Sequence, residues 1–179
     1  MELIRTAIDG CFELRPKVFA DDRGTFVKTF HRETFAGLGL ATEYPEQFYS
    51  VSRQGVVRGL HMMLPPNDQA KLVTCTAGRV LDAIVDLRKG SPTFRQFALI
   101  ELDAAKANMA YIPTGMAHGF YTRSESATML YNTTTMHSPT HDAGIRWDSA
   151  GIPWPEGVRT VSARDAAFVA LADFETPFA

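Results

Sequence analysis

From residue 11 onward the chain is cut into short runs rich in Val, Ile, Phe, Tyr and Thr. They lie at 12–19, 25–30, 47–52, 56–62, 70–77, 79–87, 94–102, 108–112, 118–122 and 127–135. Turn-forming clusters separate them: DDRG (21–24), LPPND (64–68), AGR (77–79), RKGSP (88–92), IPTGM (112–116) and TRSES (122–126). Turn signals recurring about every 8–12 residues match the rhythm of an all-β sandwich or barrel. So many strands in 179 residues would leave long exposed edges, and closure into a two-sheet jelly roll with a central cavity removes most of them. Two segments read as peripheral helices. HRETFAGLGL (31–40) is ended by glycines, and the Ala-rich SARDAAFVALADF (162–174) opens on an S-x-x-D capping box. There is no repeat or linker, so one domain over 1–179 is expected.

Composition narrows the possible partners. An apolar content of 45% supports a real core. A formal charge of -2 leaves no global basic field, which argues against nucleic acid and leaves anionic ligands to a few placed Arg and Lys. Cys11 and Cys75 stand in no CxxC or Cys/His spacing, against a disulfide framework or structural zinc and in favour of a reducing, cytoplasmic setting. Glu2, Arg5 and Asp9 interrupt what a signal segment would need, and no apolar run reaches the roughly 18 residues of a membrane span.

Several ionisable residues sit on the apolar side of these strands. Alternation puts His61 on a face with Val57, Gly59 and Met63, and Arg58 opposite with Leu60 and Met62. Asp82 shares a face with Val80 and Ile84, and Tyr131 with Met129 and Thr133. Burying such groups unpaired costs several kcal/mol, so they must pair with one another or line a wet pocket. Each taken alone has an ordinary structural reading. His61 fits a satisfied core residue, a metal ligand or a base; Asp165 fits the acidic member of the Ser162-to-Asp165 capping box; Lys71 and Arg58 fit solvated strand charges. A strand-borne metal site usually offers two His separated by one residue. Here Met63 follows His61 at that spacing, GFYT follows His118, and His137 and His141 straddle Pro139, so a metal would need distant ligands.

The string VVRGLHMMLPPNDQAKLVTCTAGRVLDAIVDLRKGSPTF, followed by IPTGMAHGFYT, ATMLYNTT, GIRWDSAGIPWP and VSARD, resembles the dTDP-4-dehydrorhamnose 3,5-epimerase family from about residue 11 to 172. The resemblance implies a cupin-type jelly roll that epimerises a nucleotide-linked 4-keto-6-deoxy sugar, with neither a redox cofactor nor a metal. It implies His61 as catalytic base, Asp165 as the acid that orients it, Tyr131 as proton donor on the opposite sugar face, and Lys71 near the keto oxygen. It further places Arg58 near the diphosphate and His118 with Asp82 as a buried polar pair. Arg23 and Phe26 would reach a neighbouring subunit's site, which implies a homodimer. These residue types suit the chemistry: a C–H beside a ketone needs a base at carbon and a cation or hydrogen-bond donor at oxygen, and inversion needs a second proton source across the ring.

Departures from the family's common pattern fall on substrate recognition. Arg-Gly-x-Phe-x-Glu is here Arg23-Gly24-Thr25-Phe26-Val27-Lys28; a polar segment ahead of the catalytic strand is EQFYS, with Glu46, Phe48 and Tyr49 altered; an aromatic pair after the donor is Met136-His137. Reaction type is therefore expected to be kept, while the nucleotide, the sugar or the number of carbons inverted differs. A metal-dependent cupin enzyme and a non-catalytic sugar-nucleotide binding module remain as alternatives. Against the second, binding alone has no use for a donor opposite a base.

Overall fold

The computed structural model describes residues 1–157 and 159–179. In chain order the strands are β1 (Glu2–Arg5), β2 (Phe12–Arg15), β3 (Val18–Asp21), β4 (Gly24–Val27), β5 (Glu46–Arg53), β6 (Val57–Met63), β7 (Lys71–Ala77), β8 (Arg79–Asp86), β9 (Phe97–Asp103), β10 (Met109–Ile112), β11 (Met116–Thr122), β12 (Ser126–Thr133) and β13 (Asp142–Gly144). Two short helices, α1 (Arg32–Gly37) and α2 (Ala163–Ala166), and a 3-10 turn at Leu171–Asp173 complete the framework. A six-stranded sheet in the order β1-β2-β10-β7-β12-β5 faces a five-stranded sheet in the order β13-β6-β11-β8-β9, while β3 and β4 pair only with each other. The strand pairings are antiparallel. The fold is the expected all-β, cupin-type jelly roll. No helix among the described residues is long and apolar enough to cross a membrane.

The core is layered. Val73 and Met129 from one sheet meet Val80, Ile84 and Phe120 from the other. Behind the five-stranded sheet, Val57, Leu60, Ala83 and Val85 are covered by Ile152, Trp154, Leu171 and Phe178 from the C-terminal segment. Behind the six-stranded sheet, Leu14, Leu72 and Met109 pack on Phe35 and Leu40 around α1. Coverage on both faces explains why β8 is buried at every position from Val80 to Asp86. Each large side chain fully buried in this way contributes about 1.5–3 kcal/mol before entropy is counted.

Three sequence expectations change. The run 12–19 is two strands, β2 and β3, divided at Pro16, whose missing N–H and fixed φ end the ladder. The helix expected over 162–174 ends after one turn, because Val169 instead accepts a backbone hydrogen bond from Arg146 (2.8 Å) and the Phe168 ring lies against Gly144. Tertiary contacts here outweigh the alanine-rich propensity. Strands β1 and β13, absent from the expected set, are held by pairing with β2 and β6.

A further change repositions a functional residue. β11 pairs Tyr121 with Val57 and Phe120 with Arg58, then His118 with His61, so Gly59 and Leu60 together stand opposite Gly119 alone. This bulge breaks the alternation. Arg58 is thereby brought to the same side as His61, while Val57, expected on the His61 face, instead joins Leu60 and Met62 in the outer layer. The two backbones come close enough that a Cβ on Gly119 would sit 2.5 Å from the Arg58 carbonyl oxygen and 3.0 Å from Gly59 Cα. Gly119→Ala is therefore expected to destabilise the fold by about 1–3 kcal/mol through overpacking. Denaturant unfolding at equilibrium measures this, and a stability within experimental error of the parent would refute the close approach.

Candidate active site

Between the two sheets opens a cavity of about 270 Å³. β6 and β11 supply Arg58, His61, Met63 and His118 from one wall; β5, β7 and β12 supply Glu46, Phe48, Ser50, Lys71 and Tyr131 from the other. His61 and Tyr131 thus belong to opposing sheets. Asp142 on β13 and Arg164 on α2 line the cavity from the side of the C-terminal segment.

His61 is held from behind. Its Nε2 lies 2.8 Å from Asp165 Oδ1, and Asp165 Oδ2 accepts the Gly59 backbone N–H at 3.0 Å. Ser162 caps α2 by accepting the Asp165 N–H (3.0 Å), so the capping turn delivers the carboxylate to the imidazole instead of turning it back on the helix. Burial works to raise the Asp165 carboxyl, but the hydrogen bonds from His61 and Gly59 outweigh it and hold it below its ordinary value. The carboxylate fixes the neutral imidazole as the Nε2–H tautomer, leaving the lone pair on Nδ1. The ring remains partly open, with 31% of its side-chain surface exposed, while Asp165 is buried.

Lys71 is buried, and desolvation lowers its pKa to about 8 against the opposing pull of Asp142 and Asp82. Its ammonium donates to the His61 carbonyl oxygen at 3.2 Å, crossing from one sheet to the other. Deeper still, Asp82 and His118 form a fully enclosed pair at 2.7 Å. Burial pushes the Asp82 carboxyl up despite His118, and its Oδ2 has no partner among the described residues. Burial and the nearby Asp82 charge likewise raise the Tyr131 phenol, so it stays protonated at neutral pH. The Tyr131 ring is stacked on Phe48, with centroids 4.8 Å apart and planes at 12°, and meets His118 edge-on at 6.1 Å.

Glu46, Phe48, Arg58, His61, Lys71, His118, Tyr131 and His137, all singled out in the sequence, therefore line one cavity, with Asp165 and Asp82 directly behind them. Arg23 and Phe26 do not reach it. They lie on the β3–β4 hairpin, where Arg23 is paired with Asp21 (2.6 Å) and Phe26 is 62% exposed beside Phe19. Sequence reasoning missed Arg164 and Asp142. Asp142 binds Arg164 at 2.8 Å and His137 at 3.2 Å, and Glu46 accepts the His137 backbone N–H at 2.7 Å, forming a charged rim. Arg164 was in view as the basic member of Ser-Ala-Arg-Asp; Asp142, in a loop-like HDAG segment, carried no periodic signal. Among the described residues no group of three His, Cys, Asp or Glu side chains is arranged to hold a metal ion.

Comparison with known proteins bears on this geometry. The family model described as dTDP-4-dehydrorhamnose 3,5-epimerase matches residues 5–173. The dTDP-4-dehydrorhamnose 3,5-epimerase of Salmonella typhimurium is 42% identical over 171 residues, covering 93% of each chain. Among solved structures, the Legionella pneumophila dTDP-6-deoxy-D-glucose-3,5-epimerase in complex with dTDP-4-keto-L-rhamnose superposes with a TM-score of 0.95 at 34% identity, covering 99% of this chain and 98% of that one. A 3'-monoepimerase from Streptomyces bikiniensis in complex with dTDP-quinovose superposes with a TM-score of 0.89 at 29% identity, covering 94% of this chain and 87% of that one. Similar over nearly its whole length in both sequence and fold, the chain belongs to the dTDP-4-dehydrorhamnose 3,5-epimerase family.

Proposed function

We propose that residues 1–179 form a single catalytic unit that epimerises a nucleotide-diphosphate-linked 4-keto-6-deoxy sugar at C3, C5 or both, next to the ketone. The observation that carries this reading is the placement of His61, backed by Asp165, and of Tyr131 on opposite walls of one cavity. His61 Nδ1 removes the proton from a carbon beside the ketone, and Asp165 stabilises the imidazolium that forms. Lys71 donates to the oxygen on which the enolate charge collects. Tyr131 then delivers a proton to the other face, which inverts the centre. Only protons move, so the scheme calls for neither a redox cofactor nor a metal. Arg58 and Arg164 both line the cavity, and as its arginines they take the diphosphate in this reading. Inversion of one carbon only is a second reading, favoured by Phe48, an apolar ring stacked on Tyr131 within a segment that the family resemblance implies is usually polar.

The working form is a homodimer in the cytoplasm. Supporting the first, the β3–β4 arm pairs with no other strand and exposes Val18, Phe19 and Phe26, an apolar surface with Arg23 at its turn that suits insertion beside a second copy. Supporting the second, Cys11 and Cys75 are both buried and unpaired.

Incubation with dTDP-linked and other nucleotide-linked 4-keto-6-deoxy sugars in heavy water, followed by mass and NMR analysis, is expected to show deuterium at one or both carbons flanking the ketone. His61→Ala abolishes that exchange; Tyr131→Phe keeps measurable wash-out but blocks net inversion. Equal loss of both in Tyr131→Phe would mean that the donor lies elsewhere. Lys71 must be protonated to act, and its pKa is depressed, so kcat/KM falls as pH rises through about 8 instead of near the 10.5 of a solvated lysine. Lys71→Arg removes that alkaline limb, and a limb left in place would exclude the lysine as its source. Light scattering is expected to give the mass of two chains for the parent and of one for Phe26→Asp, with activity falling as the dimer is lost; a monomeric, fully active parent would defeat the dimer reading.

A further inference from the structure

The most unusual contact in the cavity takes no direct part in the proton transfers. Phe48 is 46% exposed on β5, the outer strand of its sheet, yet its ring lies parallel to that of the buried Tyr131. The two are direct cross-strand partners, so the stack is set by register and not by a flexible reach. On another side the Tyr131 ring meets His118 edge-on, and His118 is itself fixed by its pair with Asp82. Ser50, two residues along β5 on the Phe48 face, lies beside the phenol. An aromatic side chain left nearly half in water makes poor use of an edge position unless its covered face has work to do. Its covered face is the outer surface of Tyr131.

Resting on the epimerase reading, we infer that Phe48 is a positioning residue for Tyr131: by stacking on the phenol it pins the donor against one sugar face and keeps water off that face. In the step it serves, the Tyr131 O–H bond breaks and its proton forms the new C–H bond as the enolate collapses to the ketone. The phenolate on Tyr131 and the imidazolium on His61 then return to their starting states by proton exchange with water. A donor free to swing delivers its proton late. The enolate meanwhile recovers a proton from His61 on the original face, giving exchange without inversion. Phe48 thus sets the partition between inversion and unproductive return.

The test follows deuterium in both recovered substrate and inverted product during turnover in heavy water. For Phe48→Ala, and for the gentler Phe48→Leu, the ratio of inversion to exchange in recovered substrate falls about tenfold or more, in line with the cost of small misplacements of a reacting group. Phe48→Tyr, which keeps the stacked ring, restores the ratio. Phe48→Ala added to Tyr131→Phe changes nothing further, since the effect runs through the phenol. A Phe48→Ala enzyme that turns over more slowly at an unchanged ratio would reduce Phe48 to packing and overturn this inference alone. Absence of exchange in the parent protein would overturn the epimerase reading, and this inference with it.

Discussion

Facing β-sheets sit about 10 Å apart, which leaves room for interdigitating side chains but little for water. Into that space this chain projects Asp82, His118, Lys71 and Tyr131, all buried. The cost of desolvating them is the constraint to which much of the remaining structure answers. Asp82 is met by His118, and Lys71 by the His61 carbonyl and the field of Asp142 and Asp82. The satisfaction is incomplete, as Asp82 Oδ2 and Ser50 Oγ are left without partners among the described residues. A folding core would gain more from leucines at these positions. Lys71, His118 and Tyr131 instead line the cavity between the sheets.

The same constraint links local geometry to chemistry. Asp165 reaches the imidazole only because a one-turn helix, capped by Ser162, stops where it does and the chain then turns to pair with Arg146. The second oxygen of that carboxylate holds the Gly59 N–H beside the β6 bulge. One side chain from the C-terminal segment therefore fixes both the tautomer of His61 and the backbone irregularity that turns Arg58 toward the cavity. Gly119 and Gly59 permit the close approach that makes the bulge possible. Packing, backbone shape and proton chemistry share a few atoms here, and a change in one is felt in the others.

The opposite wall is built differently. β5 is an outer strand, so Glu46, Phe48 and Ser50 can change without breaking a ladder on both sides. Glu46 braces the loop carrying His137, and His137 shares Asp142 with Arg164. Side chains on an edge strand and its rim tolerate replacement more readily than those on strands paired on both sides, where His61, Lys71 and Tyr131 lie.

The sequence by itself determined the all-β class, most of the strands and the placing of His61, Asp82 and Tyr131 as polar groups in apolar company, while Lys71 and His118 stood out only through the family resemblance. Period-two alternation and turn residues are local properties, legible wherever the ladder is regular. Only the tertiary structure decided that Arg58 joins His61, that the 162–174 segment is barely helical, that Asp142 and Arg164 close the rim, and that Arg23 and Phe26 stand apart on their own hairpin. The physical reason is common to these cases. A bulge, a truncated helix and a salt bridge between β13 and α2 are set by contacts between residues far apart in the chain, and those contacts outweigh the propensity of any single stretch.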